Sequence, residues 1–357
     1  MTINHSYFFS LAFHLAEKNL GQTGLNPSVG SIVVKNNTVI SSGVTSINGR
    51  PHAEFIALNK IKNCDGATLY TTLEPCTHKG KTPPCTNIII KKKIKNVYYA
   101  FEDPDKRTHK KAKKILDKKG IKSKLIKSKK YINFYKSYFI NKKFNIPFIS
   151  AKIALSKDYF TINKKNKWIT DYSSRKITHL MRYQNDGIIS TSKTINHDNA
   201  QLNCRIEGLN NYKPDLFIID LNLKLKKNLL LKKILKKRKT YLITYQTNFK
   251  KAQFFRKQGF KIILIDSLKS KNDLIFLYKK IYKMGYSRVL VEAGLTFLNT
   301  LIKNKLINVL YMFKNNNELK KNGKNNDTIK YLKDIYPNQI SINLKNDKLY
   351  KKEFKNV

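Results

Sequence analysis

Apolar residues along this chain alternate between two spacings, and the changes of spacing divide it into segments. Near the start, Phe8, Leu11, Ala12 and Leu15 recur at the interval of a helix face, and the run stops before Gly21, a helix terminator. Residues 30–34 and 38–42 read as the two strands of a hairpin turning at Lys35-Asn36-Asn37. Pro51 is placed to open a helix through Phe55, Ile56 and Leu58, where a proline fits the first turn. Residues 67–72 predict a strand, Pro83-Pro84 a second helix carrying Cys85 and Ile88 to Ile90, and residues 96–100 another strand.

An aromatic-rich stretch, 131–144, leads to a join near Asn145-Ile146-Pro147, after which a second alternation begins. Residues 148–155, 187–191, 216–220, 240–244, 261–266 and 288–291 are strand-like, separated by helical patterns such as 173–183. The last of these strands runs into Glu292-Ala293-Gly294 and a helix over 296–302. Such alternation implies a mainly parallel sheet with helices on both faces, whose ligands bind beyond the carboxyl ends of the strands. A length of 357 residues suits the two α/β domains this predicts, 1–145 and 146–357.

Composition changes little in that picture. At 41% apolar the chain can fill ordinary cores, and no apolar run reaches the roughly 18 residues of a membrane span. The N-terminus lacks a basic leader, and His14 and Glu17 interrupt its apolar stretch, so no secretory signal is read there. Four cysteines make no disulfide framework in a chain this long, and a reducing cytoplasm is the expected compartment. The net charge of +48 invites a nucleic-acid reading. The lysines are spread through the chain together with abundant Asn and Ile, all encoded by codons rich in A and T. No basic stripe interleaved with aromatics stands out, so the charge reads as composition and no specific nucleic-acid partner is expected.

The candidate chemistry is concentrated in His52-Ala53-Glu54, Pro75-Cys76 and Pro84-Cys85. Zinc takes nitrogen and sulfur donors, and a catalytic site uses three protein ligands with water in the fourth position. His52, Cys76 and Cys85 supply three. Glu54 then stands where a proton shuttle is needed, in the arrangement of nucleobase deaminases, except that eight residues separate the cysteines. The metal acidifies its bound water, and the resulting hydroxide attacks a ring carbon bearing an exocyclic amine. The competing reading is a closed structural knot with His78 as fourth ligand. His5, His14, His109 and His179 read as surface or core residues, and Cys64 and Cys204 as unpaired filler.

The second half carries weaker signals, and no G-x-G-x-x-G or Walker sequence. Val291-Glu292-Ala293-Gly294 sets an acid and a glycine at a strand-to-helix turn, where backbone N–H groups can receive a phosphate. The one tryptophan, Trp168, precedes Ile169-Thr170, whose threonine is placed to cap the helix carrying Arg182. Arg182 and Arg205 are arginines in a chain that otherwise uses lysine almost everywhere, and a planar guanidinium suits a phosphate.

Asn26-Pro27-Ser28-Val29-Gly30, Pro51-His52-Ala53-Glu54, Glu74-Pro75-Cys76-Thr77-His78 and Gly80-Lys81-Thr82-Pro83-Pro84-Cys85 together resemble the bifunctional deaminase-reductase family of riboflavin biosynthesis. The resemblance implies a cytidine-deaminase-like three-layer domain followed by a dihydrofolate-reductase-like α/β domain. It implies hydrolytic deamination of 2,5-diamino-6-ribosylamino-4(3H)-pyrimidinone 5′-phosphate, then reduction of the ribosyl chain to ribityl by NADPH. Asn26 and the loop from His78 to Lys81 would face the pyrimidine and its sugar phosphate. Ala154, Trp168, Thr194 and Asp198 would lie beside the cofactor, with Gly294, Leu295, Thr296, Phe297, Leu298, Asn299 and Thr300 around its phosphates. Asn166, Arg182, Leu202, Arg205 and Glu292 would surround the substrate, the two arginines on its phosphate. No catalytic side chain is named for this half, and a homo-oligomer is typical of the family. The chain departs from the pattern at Lys81 (usually arginine), at Asp105-Lys106 (usually Asn-Pro) and at His197-Asp198-Asn199. Three other readings stay open at this point: a tRNA deaminase with a basic RNA-binding second half, the same deaminase with a decayed reductase, and a non-catalytic zinc-stabilised binding protein.

Overall fold

The computed structural model describes residues 4–127, 129–209 and 214–354. The chain forms two compact units, Met1–Asn145 and Ile146–Val357.

The first unit runs α1 (His5–Lys18), β1 (Gly30–Lys35), β2 (Thr38–Val44), α2 (Ala53–Asn59), β3 (Thr68–Thr71), α3 (Cys85–Lys91), β4 (Asn96–Tyr99), α4 (Ala112–Asp117), β5 (Lys122–Leu125) and α5 (Lys136–Phe144). Its sheet has the order β2-β1-β3-β4-β5, with β1 antiparallel to both neighbours and β3, β4 and β5 parallel. Helix α1 lies so close to the sheet that a Cβ on Gly30 would come within 1.8 Å of the Ala12 carbonyl oxygen. The aromatic stretch before the join packs back into this unit. Phe13 stacks on Tyr131 at 3.9 Å, and the Tyr135 hydroxyl lies 2.6 Å from Thr72 Oγ1 and donates to the Ser28 carbonyl. Pro51 does not open α2: it follows a cis Arg50–Pro51 bond, His52 is the N-cap, and the helix begins at Ala53. Likewise Pro84 is the N-cap of α3, so Cys85 is its first residue.

The second unit continues with β6 (Phe148–Leu155), β7 (Ile162–Asn163), α6 (Tyr172–Tyr183), β8 (Gly187–Thr191), α7 (Ser192–Asp198), β9 (Asp215–Ile219) and β10 (Thr240–Tyr245). Then come α8 (Phe249–Lys257), β11 (Lys261–Ile265), α9 (Lys271–Lys283), β12 (Arg288–Val291), α10 (Leu295–Lys303) and β13 (Val309–Asn315). β14 (Gly323–Lys324), α11 (Lys330–Asp334), β15 (Ile342–Leu344) and β16 (Asp347–Glu353) complete it. The large sheet has the order β11-β10-β9-β8-β12-β6-β13-β16-β15 and is parallel from β11 to β13. The β15–β16 hairpin adds to β13 antiparallel. β8, β9 and β12 are almost wholly buried apolar runs, as a sheet covered on both faces requires. Thr170 does not cap α6. Asp171 is the N-cap, and the buried Asp347 of β16 accepts from its N–H (2.7 Å) and from Ser174 Oγ (2.5 Å). Among the described residues, no helix is long and apolar enough to cross a membrane.

Candidate functional site

In the first unit, β2 and α2 bring His52 and Glu54 to the same place as the loop after β3, which carries Cys76, and the start of α3, which carries Cys85. One donor atom from each of His52, Cys76 and Cys85 lies within 4.8 Å of the others, the one such group of possible metal ligands among the described residues. His52 Nδ1 is 3.5 Å from Cys76 Sγ and 3.4 Å from Cys85 Sγ. Bonds of about 2.0 Å to nitrogen and about 2.3 Å to sulfur at a tetrahedral angle put the two donors about 3.5 Å apart, so the set fits zinc. His78 is outside it: its Nδ1 lies 3.2 Å from Thr108 Oγ1. A three-donor set leaves the fourth position to water or substrate.

The electrostatics of the group suit a metal and a proton carrier. A hydrogen bond from Cys85 pulls the Cys76 thiol well down, and the same bond with burial pushes Cys85 well up; thiolates are the form that binds a divalent ion. The Cys85 N–H also donates to Cys76 Sγ at 3.2 Å. Glu54 is 4% exposed, with Oε2 3.6 Å from Cys85 Sγ, and burial raises its carboxyl to about 7.

Two residues that sequence reasoning missed frame this centre. The buried Glu74, next to Pro75-Cys76, accepts from the N–H groups of Asp103, Lys110 and Ala112, fastening that loop to the ligand loop. Arg50 Nη1 donates to Thr82 Oγ1 (2.6 Å) and lies 3.3 Å from His52 Nε2, joining the His52 and Thr82 loops. Arg50 had a signal, an arginine in a lysine-rich chain; Glu74 stood at the head of a motif that carries the resemblance, but nothing in the spacing gave it this role. Asn26 is used internally, its amide donating to the Gly49 carbonyl.

The expected reductase residues fall into groups. Thr194, near the start of α7, and Gly294, the N-cap of α10, meet beyond the carboxyl ends of adjacent strands β8 and β12, the Gly294 N–H donating to Thr194 Oγ1 at 3.1 Å. Among the described residues no side chain caps α10, so its first N–H groups remain available to a phosphate. Gly294 and Thr296 are exposed and Phe297 and Thr300 half-buried, whereas Leu295, Leu298 and Asn299 are buried. Asn166 and Trp168 line a cavity of about 440 Å³ with Ser156, Thr170, Arg175 and Asn317, and no other expected residue lines it. Ala154 lies on β6, half-buried. Asp198 is paired with His197 at 2.6 Å on the surface.

The third group is a polar cluster. Arg182 makes a two-point contact with Glu292 (2.6 and 2.9 Å), and its Nη1 donates to the Asn203 carbonyl. Its donors are therefore mostly engaged, while the Arg205 guanidinium donates, among the described residues, to Asn203 Oδ1. His179, read from sequence as surface or core, lies within this cluster: its Nδ1 is 3.0 Å from the Asn203 carbonyl and accepts from the Arg205 N–H. Burial and the neighbouring Arg182 lower His179 to about 4, keeping the ring neutral. Leu202 packs its side chain into the core, leaving its backbone to the loop. Lys152, also missed, lies on β6 two residues before Ala154 and on the same face. The register Val291↔Ala151 sets it opposite Glu292, and burial lowers its ammonium.

Residues 2–101 match the cytidine and deoxycytidylate deaminase zinc-binding region, and residues 147–314 match the RibD C-terminal domain. The chain is 31% identical over 312 residues to the riboflavin biosynthesis protein RibD of Aquifex aeolicus, covering 86% of this chain and 85% of that one. It is 33% identical over 329 residues to RibD of Buchnera aphidicola, covering 86% of each. Among solved structures, Acinetobacter baumannii RibD superposes with a TM-score of 0.82 at 25% identity, over 97% of this chain and 98% of that one. A diaminohydroxyphosphoribosylaminopyrimidine deaminase/5-amino-6-(5-phosphoribosylamino)uracil reductase from Thermotoga maritima gives 0.78 at 25% identity, over 97% of each. With both halves matched, the second is a reductase domain and not an RNA-binding module. The chain belongs to the RibD family of bifunctional riboflavin-biosynthesis enzymes, with a zinc-dependent deaminase in its first unit and an NADPH-dependent reductase in its second.

Proposed function

We propose that His52, Cys76 and Cys85 hold the zinc, that Glu54 is the proton carrier, and that the substrate is 2,5-diamino-6-ribosylamino-4(3H)-pyrimidinone 5′-phosphate. The observation that carries this is the convergence of three donors on one point with a buried carboxyl beside them. Zinc supplies an acidified water when bound. Glu54 takes a proton from that water as its oxygen bonds to the ring carbon bearing the amine, and passes the proton to the ring nitrogen. A second transfer to the departing amine releases ammonia and leaves a carbonyl. A carboxyl raised toward neutrality is matched to accepting and returning protons.

In the second unit the α10 turn, with Thr194, receives the phosphates of NADPH, Ala154 and Trp168 lie along the cofactor, and Arg205 holds the substrate phosphate. Asn166 and the Leu202 backbone complete the substrate contacts. The Arg182–Glu292 pair orients the pocket floor and Lys152 above it. NADPH, when bound, would supply a hydride to C1′ of the ribosyl group. The C1′–O4′ bond breaks, and Lys152 gives its proton to O4′, leaving the ribityl chain.

The test is Glu54→Gln in the full chain. It should bind one zinc per chain, measured by metal analysis, while ammonia release falls by about 10²–10⁴. Unchanged turnover would reject the proton-carrier role, and lost zinc would make Glu54 part of the metal site instead.

A further inference from the structure

We infer that Arg238 is a positioning residue of the reductase: from the protein interior it holds residues 201–205 in the shape that presents Arg205 to the substrate phosphate. The inference rests on the reading of Arg205 as the anion contact.

Arg238 lies between the short helix Leu230–Ile234 and β10, and is 6% exposed. Its Nη1 donates to the carbonyl oxygens of Leu202 (2.9 Å) and Pro214 (3.0 Å), and its Nη2 to that of Gln201. Among the described residues it has no carboxylate partner at ion-pair distance. Burying a guanidinium is costly; the field of Asp215 offsets part of that cost, and the hydrogen bonds of the charge go to main-chain carbonyls. Of those carbonyls, that of Pro214 precedes β9, and the other two belong to an irregular segment, since residues 199–205 form neither helix nor strand. These two flank the peptide of Leu202, whose φ of +53° lies in the left-handed region that leucine avoids. Such a conformation persists only where its surroundings hold it.

The segment is also pinned from other sides. Asn199 Oδ1 accepts from the Leu230 N–H at 2.9 Å, and from α6 Arg182 Nη1 donates to the Asn203 carbonyl while His179 Nδ1 accepts from the Arg205 N–H. What projects from the clamp is the Arg205 side chain. The chain has eight arginines against 63 lysines. A lysine is a point donor, whereas spanning the carbonyls of 201, 202 and 214 needs the planar fork.

The test compares Arg238→Met, Arg238→Lys and Arg205→Met in the zinc-loaded full chain, with NADPH and 5-amino-6-(5-phosphoribosylamino)uracil as substrates. Arg238→Met should raise KM for the phosphorylated substrate about tenfold with kcat little changed, the pattern of lost binding common to ground and transition states. NADPH binding and ammonia release should hold, hydrogen exchange should rise at residues 201–205 alone, and Arg238→Lys should recover part of the loss. If Arg205→Met raises KM and neither Arg238 variant does, the inference is overturned. If Arg205→Met leaves KM unchanged, the phosphate reading itself fails and takes the inference with it. If Arg238→Met does not fold, Arg238→Lys decides: KM and loop exchange at wild-type values overturn the inference. Exchange rising throughout the unit, with NADPH binding lost, would make Arg238 a core residue and overturn it too.

Discussion

Asp105 occupies a place where the family usually has a neutral amide, and its neighbours absorb the added charge. Arg107 grips it through Nε and Nη2, Lys142 adds a third contact at 2.9 Å, and the carboxyl is held well below its ordinary value, Arg107 contributing most. Asp103, two residues earlier, behaves oppositely. Burial raises it to about 6 from 3.8, so its contribution to stability is full below 3.8 and is lost as pH rises through about 6. Asp103→Asn should remove that decline, at most about 3 kcal/mol, from the stability of the first unit between pH 4 and 6 in denaturant titrations; an unaltered slope would reject it. In the second unit, Lys152→Met should lower reductase kcat by about 10²–10⁴ with NADPH binding kept, read by stopped-flow hydride transfer. The metal donors were legible because zinc restricts its ligands to few residue types, and Arg205 because it breaks a lysine habit. Lys152, Glu74 and His179 were not, because their roles come from strand register and long-range packing, and a lone lysine among 63 carries no signal.

At the scale of elements, the deaminase site depends on how closely α2 lies on β2. A Cβ on Gly43 would meet the Ala53 carbonyl oxygen at 2.3 Å and the Ala57 nitrogen at 2.6 Å, both backbone atoms. Gly43→Ala must therefore push away the helix whose N-cap is His52 and whose first turn carries Glu54. We expect the first unit to lose about 1–3 kcal/mol and zinc affinity to fall, measured by melting and chelator competition; a variant with wild-type affinity would show that the ligands do not follow the helix. The parallel strands were legible as apolar runs. The β15–β16 hairpin was not, because Asp347 to Glu353 holds only Leu349 and Tyr350 among charged residues, and the buried and half-buried positions that alternate at its start do not show in the residue types. Only pairing with the apolar strand β13 gives that alternation meaning.

For the whole molecule, two chemistries on separate units predict separable losses. Removing zinc with a chelator should abolish ammonia release while NADPH oxidation continues when the deaminated pyrimidine is supplied; parallel loss of both would contradict the division. The +48 charge predicts a further general property, adsorption to polyanions that weakens steeply with salt and favours no sequence. The order of the large sheet has a consequence of another kind, in time. β6 is the first strand of its unit to leave the ribosome, yet its two partners are β12 and β13, which end at Val291 and Asn315. The strands β8 to β11 can pair with one another in the meantime, but β6 must wait. The deaminase can close as soon as residue 145 is made, whereas the reductase begins with an apolar strand that stays unpaired until most of its sequence exists. During synthesis the exposed stretch from Phe148 to Leu155 is therefore where a chaperone is needed, and where crowding would first cause the nascent chain to aggregate.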